Sequence, residues 1–405
     1  MAVASMIIQN RKNAMHWQTR LIHSNAKAPS GFRSLATPVA RGSTVIFDSV
    51  AQATDDWHQS ERGYTYGLFG SPTVLELGAR IAELEGAHHS FIVPGGQAAI
   101  SIVYLALCRA GSHVLLPANA YGPSHDLATG TLRAFGVTVE TYDPLIGGDI
   151  ERLIRPETTL IWTESPGSIT MEIQDVPAIA AVGRSHGIPV ALDNTYAGGV
   201  LFDAFRHGVD ISIQALTKYI GGHSDVLLGS VSVASRELYE RVGTAWSQLG
   251  MGVSPDEASL ALRGLQTLGI RLERLERTAL AVAQWLADQP EVDKVLHPAL
   301  TEAPGHDLWK RDFTGSASVF SIIFRHEISP DQVACFVDAL RLFKIGYSWG
   351  GVTALALTYP GLGRPDAESG DRLVRLNVGL EEPGDLIADL DQALGSAMRQ
   401  PTTGR

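Results

Sequence analysis

Ile213-Gln214-Ala215-Leu216-Thr217-Lys218-Tyr219-Ile220-Gly221-Gly222-His223-Ser224-Asp225 is the stretch on which the reading of this chain turns. A short apolar run, Ile211 to Leu216, leads into Lys218, and a glycine-rich loop with almost no cationic neighbours follows. A lysine so placed is partly desolvated, which lowers its pKa and frees the amine to attack a carbonyl. Upstream, Ile188-Pro189-Val190-Ala191-Leu192 reads as a buried strand ending in Asp193-Asn194-Thr195-Tyr196. A carboxylate at a strand's C-terminal end with a lysine a short way on is the pair that pyridoxal phosphate requires. The lysine binds the aldehyde, and the carboxylate keeps the ring nitrogen protonated so that the ring accepts electrons. Taken singly, Lys218 reads as a surface lysine and Asp193 as a helix cap; the pair together carries the inference.

Outward from that pair the pattern is regular. Helical spacing over Val74 to Leu84 leads to Phe91-Ile92-Val93, and Pro94-Gly95-Gly96-Gln97 then opens a second helix running to Cys108. Val114-Leu115-Leu116-Pro117, Val137 to Thr141, Leu160-Ile161-Trp162 and Val190-Ala191-Leu192 read as strands, with helical windows at 149–154 and 176–186. Strands alternating with helices imply right-handed crossovers and a mostly parallel sheet, an α/β fold. Residues 1–60 show no sustained period and read as an N-terminal arm lying against something else. Residues 61–253 form the large, cofactor-binding domain, and 254–405 a smaller α+β domain. In the latter, 256–289 is a long helical region broken near Gly264 and Gly269, and Val319 to Phe324 and Leu373 to Val378 are strand-like.

Several side chains join the pair. Glycines before a helix leave backbone N–H groups and the positive end of the dipole free, so Gly96 and Gln97 suit the cofactor's phosphate. Thr217 adds a hydroxyl to the same group. Tyr121, just past the strand at 114–117, is expected at the same sheet edge as Asp193, where its ring either stacks on the cofactor ring or packs as a core tyrosine. In Leu373-Val374-Arg375-Leu376-Asn377-Val378, alternation puts Arg375 and Asn377 on one face of an apolar strand. An arginine there calls for a carboxylate, either a structural partner or a substrate's α-carboxylate. Metal chemistry finds no support. His88-His89 are adjacent and face apart on a helix, and Pro330 stands where a His326-Glu327 zincin motif needs its second histidine.

With 405 residues, 45% of them hydrophobic, the chain is long enough for two or three cores. A net charge of −11 argues against nucleic-acid or anionic-membrane partners. Cys108 and Cys335 are the only cysteines, no run of apolar residues is long enough for a transmembrane helix, and the N-terminus lacks a signal-peptide pattern. The expected location is the cytoplasm.

Together these motifs resemble the Cys/Met-metabolism family of pyridoxal-phosphate enzymes, which holds cystathionine β- and γ-lyases, cystathionine γ-synthase and methionine γ-lyase. The resemblance runs from about Thr19 to about Leu394, and Gln214 to Asp225 matches the family's cofactor-attachment signature. It implies an aspartate-aminotransferase-type (fold type I) architecture and a homo-oligomer, a dimer of dimers with active sites shared between subunits. It also implies a sulfur amino acid as substrate, Lys218 and Tyr121 as catalytic residues, and Ser348, Trp349 and Arg375 holding the substrate's α-carboxylate. Trp349 in Tyr347-Ser348-Trp349-Gly350-Gly351 is similar to the β-lyases, where γ-type members usually carry leucine. The implied reaction is therefore cleavage of cystathionine to homocysteine, pyruvate and ammonia. A γ-type enzyme of the same family and a non-catalytic cofactor-binding regulator remain as alternatives. The family pattern also places Tyr66 at the neighbouring subunit's phosphate. Leu68 replaces the arginine expected beside it, Ala215 replaces a phosphate-binding serine, and Val352-Thr353-Ala354 replaces the Tyr-Glu-Ser frequent in β-lyases.

Overall fold

The computed structural model describes residues 16–22, 34–360 and 370–397. Its larger sheet holds β1 (His89–Val93), β2 (His113–Pro117), β3 (Thr138–Tyr142), β4 (Thr158–Glu164), β5 (Val190–Asp193), β6 (Ile211–Gln214) and β7 (Gly229–Val233), in the order β1-β7-β6-β5-β4-β2-β3. Every pairing from β3 to β6 is parallel, and β7 alone runs against its neighbours β6 and β1. β2, β5, β6 and β7 are buried along their whole length, and β2 and β5 accordingly read as short apolar runs. Among their buried polar residues, Ser212 and Ser232 donate to the two carboxyl oxygens of Glu85, whose carboxyl is pushed up by burial.

Helices pack beside this sheet: α1 (Pro72–Glu85) before β1, α2 (Gly96–Leu107), the short α3 (Gly122–Asp126) that follows Tyr121 and α4 (Val176–His186) between its strands, and α5 (Arg236–Gln248) after β7. On α1, Val74, Leu77 and Ile81 are buried at helical spacing, each worth about 1.5–3 kcal/mol. The window at 149–154 is a 3₁₀ helix, Gly147–Leu153, instead of an α-helix. His89 opens β1 instead of lying on a helix, so the two histidines are separated by strand alternation; among the described residues no group of side chains is arranged to hold a metal ion.

The region 256–289 splits into α6 (Pro255–Leu265) and α7 (Leu268–Ala287). At Gly264 a Cβ would stand 2.1 Å from the Ile220 carbonyl oxygen. Only glycine lets α6 pack against the backbone that follows Lys218. Beyond α7, β8 (Val292–Leu296), β9 (Val319–Phe324), β10 (Lys344–Ile345), β11 (Leu355–Thr358) and β12 (Leu373–Asn377) form a second sheet in the order β10-β11-β12-β9-β8. α8 (Pro330–Ala339) and α9 (Pro383–Ala397) pack together beside it. One continuous buried cluster runs from Val74 and Leu216 through Leu272 to Phe320 and Leu390, so the two sheets share a core. No described helix is long and apolar enough to cross a membrane.

Candidate active site

Parallel register brings the ends of three strands together: Glu164 of β4 lies opposite Asp193 of β5, and Asp193 opposite Ile213 of β6. The chain leaving β6 then folds into tight turns, with Lys218 N–H on the Ala215 carbonyl at 3.0 Å and Gly222 N–H on that of Lys218 at 2.7 Å. Lys218 and Asp193 thereby face one cavity of about 340 Å³, which Gly96, Gln97, Tyr121, Thr217 and Trp349 also line.

Burial, with Arg375 adding to it, lowers the Lys218 ammonium to about 8 against the opposing pull of Asp193. Its Nζ donates to Ser348 Oγ and stands 5.3 Å from the centre of the Trp349 ring. Ser348 holds a φ of 82°, a left-handed conformation unusual for a residue with a side chain. Asn377 supports that segment: its Oδ1 accepts from Gly350 N–H at 3.0 Å and from Ser318 at 2.6 Å. Asp193 is raised to about 6 by burial, against the pull of Thr195 and Lys218. Thr195 N–H donates to Asp193 Oδ1 at 3.0 Å, and Thr195 Oγ1 accepts from Ala215 N–H at 2.9 Å. A buried carboxylate that ionises this reluctantly calls for a cation beside it, and the protonated ring nitrogen of pyridoxal phosphate is one.

The phosphate end fits as well. α2 begins at Gly96 and points its N-terminus into the cavity, and a Cβ on Gly96 would lie 2.7 Å from that of Ala215, so the cradle admits no side chain there. Lys218 is the one cationic side chain among the described lining residues. Thr217 reaches the cavity, but its hydroxyl is engaged with the backbone of Leu228 in both directions at 3.2 Å. Aldehyde, ring and phosphate thus each meet suitable groups.

The profile of the Cys/Met metabolism PLP-dependent enzymes matches residues 18–395. This chain belongs to that family. It is 40% identical over 384 residues to cystathionine beta-lyase MetC of Escherichia coli, covering 92% of this chain and 96% of that one. To the cystathionine beta-lyase of Bordetella avium it is 41% identical over 396 residues, 95% and 99% of the two chains. The crystal structure of metB from Corynebacterium glutamicum superposes with a TM-score of 0.87 at 29% identity, covering 95% of this chain and 99% of that one. The fold is the type I architecture that the resemblance implied, and the enzyme depends on pyridoxal phosphate.

Not every residue expected in the family's site lies in this cavity. Arg375 and Ser348 do not line it but touch residues that do: Arg375 donates to the carbonyl of Ser168 at 3.4 Å, and Ser348 Oγ accepts from Lys218. Tyr66 is 44% exposed and outside it, its N–H held by Gln59 Oε1 at 3.2 Å. Leu68 turns onto the apolar cluster around Phe69 and Trp246. Val352-Thr353-Ala354 does not line the cavity; Val352 and Ala354 are tied to Leu380 and Glu381 at 2.8 Å each. Glu164, unread in the sequence, accepts the Tyr121 N–H at 2.7 Å and fixes the loop that carries the tyrosine. Its position at the end of β4 was the available signal, the same that marked Asp193 on β5.

Proposed function

We propose that this chain is a carbon–sulfur β-lyase that converts cystathionine to homocysteine, pyruvate and ammonia. The observation that carries the reading is the packing of Trp349 and Ser348 against Lys218 Nζ, which places the β-lyase-type tryptophan beside the attacking amine. When bound, pyridoxal phosphate supplies the sink for the electrons left on Cα as its proton departs. The chain's own residues do the rest. Gly96, Gln97 and the start of α2 hold the phosphate, and Asp193 pairs with the ring nitrogen.

Arg375 takes the α-carboxylate. It is 6% exposed, and among the described residues it has no carboxylate partner, so its charge is available to a ligand. With the carboxylate fixed there and Trp349 beside it, the Cα–H bond is aimed at Lys218, which removes the proton as general base. The Cβ–S bond then breaks. Burial holds the Tyr121 hydroxyl up and therefore protonated at neutral pH, so Tyr121 or the newly protonated Lys218 donates to the leaving sulfur.

Product analysis tests this directly. Pyruvate from cystathionine is the expected result; 2-oxobutyrate would assign γ-chemistry, and no keto acid at all a binding protein. Arg375→Lys should raise KM strongly and lower kcat, with kcat/KM down roughly ten- to a hundredfold, since a point charge cannot reproduce a bidentate fork. Steady-state kinetics near wild type would place the α-carboxylate elsewhere.

The same reading makes the enzyme a cytoplasmic homo-oligomer, a dimer of dimers. Tyr66, exposed and outside its own cavity, completes the neighbour's phosphate site, where Leu68 brings no charge. Ile46 and Val50 on the N-terminal arm, 92% and 93% exposed, support a neighbour packed against that arm. Cys108 and Cys335 are both free thiols, as suits a reducing compartment.

A further inference from the structure

β11 and β12 run antiparallel, with Leu357 opposite Arg375 and Thr358 opposite Val374. The pairing continues one step past β11, where Tyr359 N–H donates to the Leu373 carbonyl at 3.3 Å. Tyr359 is therefore two residues from Leu357 on the same strand face and is the diagonal neighbour of Arg375. Its ring meets the guanidinium there, with the guanidinium carbon 4.7 Å from the ring centre. Arg375 has little else to hold it: among the described residues its one hydrogen bond is the 3.4 Å contact to Ser168 O.

From this geometry we infer that Tyr359 is a positioning residue, whose ring fixes the plane in which the Arg375 fork meets a substrate carboxylate. The inference rests on the reading of Arg375 given above and deepens it. A carboxylate at position 359 would orient the guanidinium equally well but would neutralise it and compete with the ligand. An aromatic face attracts the cation through its quadrupole and leaves the formal charge and the N–H groups free. Burial keeps the Tyr359 hydroxyl protonated although Arg375 pulls the other way, so the residue stays neutral beside the charge it steers.

The test is binding of glycine and of glycinamide, which lacks the carboxylate, to the cofactor-loaded enzyme by calorimetry. Tyr359→Leu should weaken glycine roughly five- to thirtyfold, the range for a cation–π contact partly to fully shielded from water, and leave glycinamide unchanged. Tyr359→Phe, which keeps the ring face, should stay within about twofold of wild type for both ligands. Equal losses for the two ligands, or a Phe variant as damaged as the Leu variant, would overturn the inference in favour of simple packing. Arg375→Lys separates the two readings. If it binds glycine normally, the Arg375 assignment fails and Tyr359 with it; if it weakens glycine while Tyr359→Leu does not, only the Tyr359 inference fails. Should the Leu variant not fold, judged by its melting curve, Tyr359→Met carries the same comparison.

Discussion

Lys218→Ala is expected to abolish covalent cofactor attachment and to lower turnover by several orders of magnitude. Two functions leave with one amine. The nucleophile that captures the aldehyde is gone, and so is the base at Cα, which alone is worth roughly 10²–10⁴-fold. The site is built to make that amine reactive: burial and Arg375 lower it to about 8, so a useful fraction is neutral at physiological pH. Replacement leaves Ser348 without its partner and Trp349 without the cation beside its ring, but removes no apolar contact from the core. The variant should therefore fold and still bind the cofactor's phosphate through α2. Borohydride reduction followed by peptide mapping checks the assignment cleanly, because the chain's other lysines are only Lys12, Lys27, Lys294, Lys310 and Lys344. Cofactor trapped on any of these in the variant, or residual turnover within tenfold of wild type, would transfer the role elsewhere.

What could be read in the sequence follows from how locally each feature is determined. The parallel strands announced themselves because strands buried on both faces are short apolar runs with turn residues at each end; Asp193 closes one of them, and Lys218 follows a tight turn past the end of another. The break between α6 and α7 was visible from Gly264, although what requires glycine there, the close approach of the Ile220 carbonyl, is a long-range contact. β7 was missed because Gly229-Ser230-Val231-Ser232-Val233 has the alternation of a half-exposed strand. Its serines are buried all the same, Ser232 because Glu85 arrives from α1 to accept from it. Arg375 was legible as a charge in an apolar strand, whereas Tyr359 was not, since its meaning depends on the register of β11 against β12. Tyr66 and Leu68 were read through family resemblance alone; no local pattern in the sequence marks either of them.

Asp193→Asn should retain cofactor yet lose most activity, because a neutral amide cannot hold the ring nitrogen protonated and the electron sink weakens at the step where the Cα proton leaves. The same substitution should act in the opposite direction on the cofactor-free protein. Burial raises Asp193 from 3.8 to about 6, so between those values the folded protein binds more protons than the unfolded one. Its contribution to stability is then fully present below about 4 and is lost as pH rises through about 6. At neutral pH the ionised carboxylate costs up to about 3 kcal/mol, the attraction of the neighbouring Lys218 ammonium already included. The amide of the Asp193→Asn variant carries no such cost and can still accept the Thr195 N–H. The cofactor-free variant should therefore melt higher than wild type at pH 7, with the advantage vanishing near pH 4. A further consequence falls on Lys218. Asp193 raises its pKa, so without that charge the amine should drop below about 8, and the rate of reconstitution with pyridoxal phosphate should level off at lower pH than in wild type. Melting curves and reconstitution rates across pH, measured beside turnover, distinguish the roles. Wild-type turnover would make Asp193 structural, and a variant destabilised at pH 7 would mean that its bond to Thr195 outweighs the cost of burying its charge.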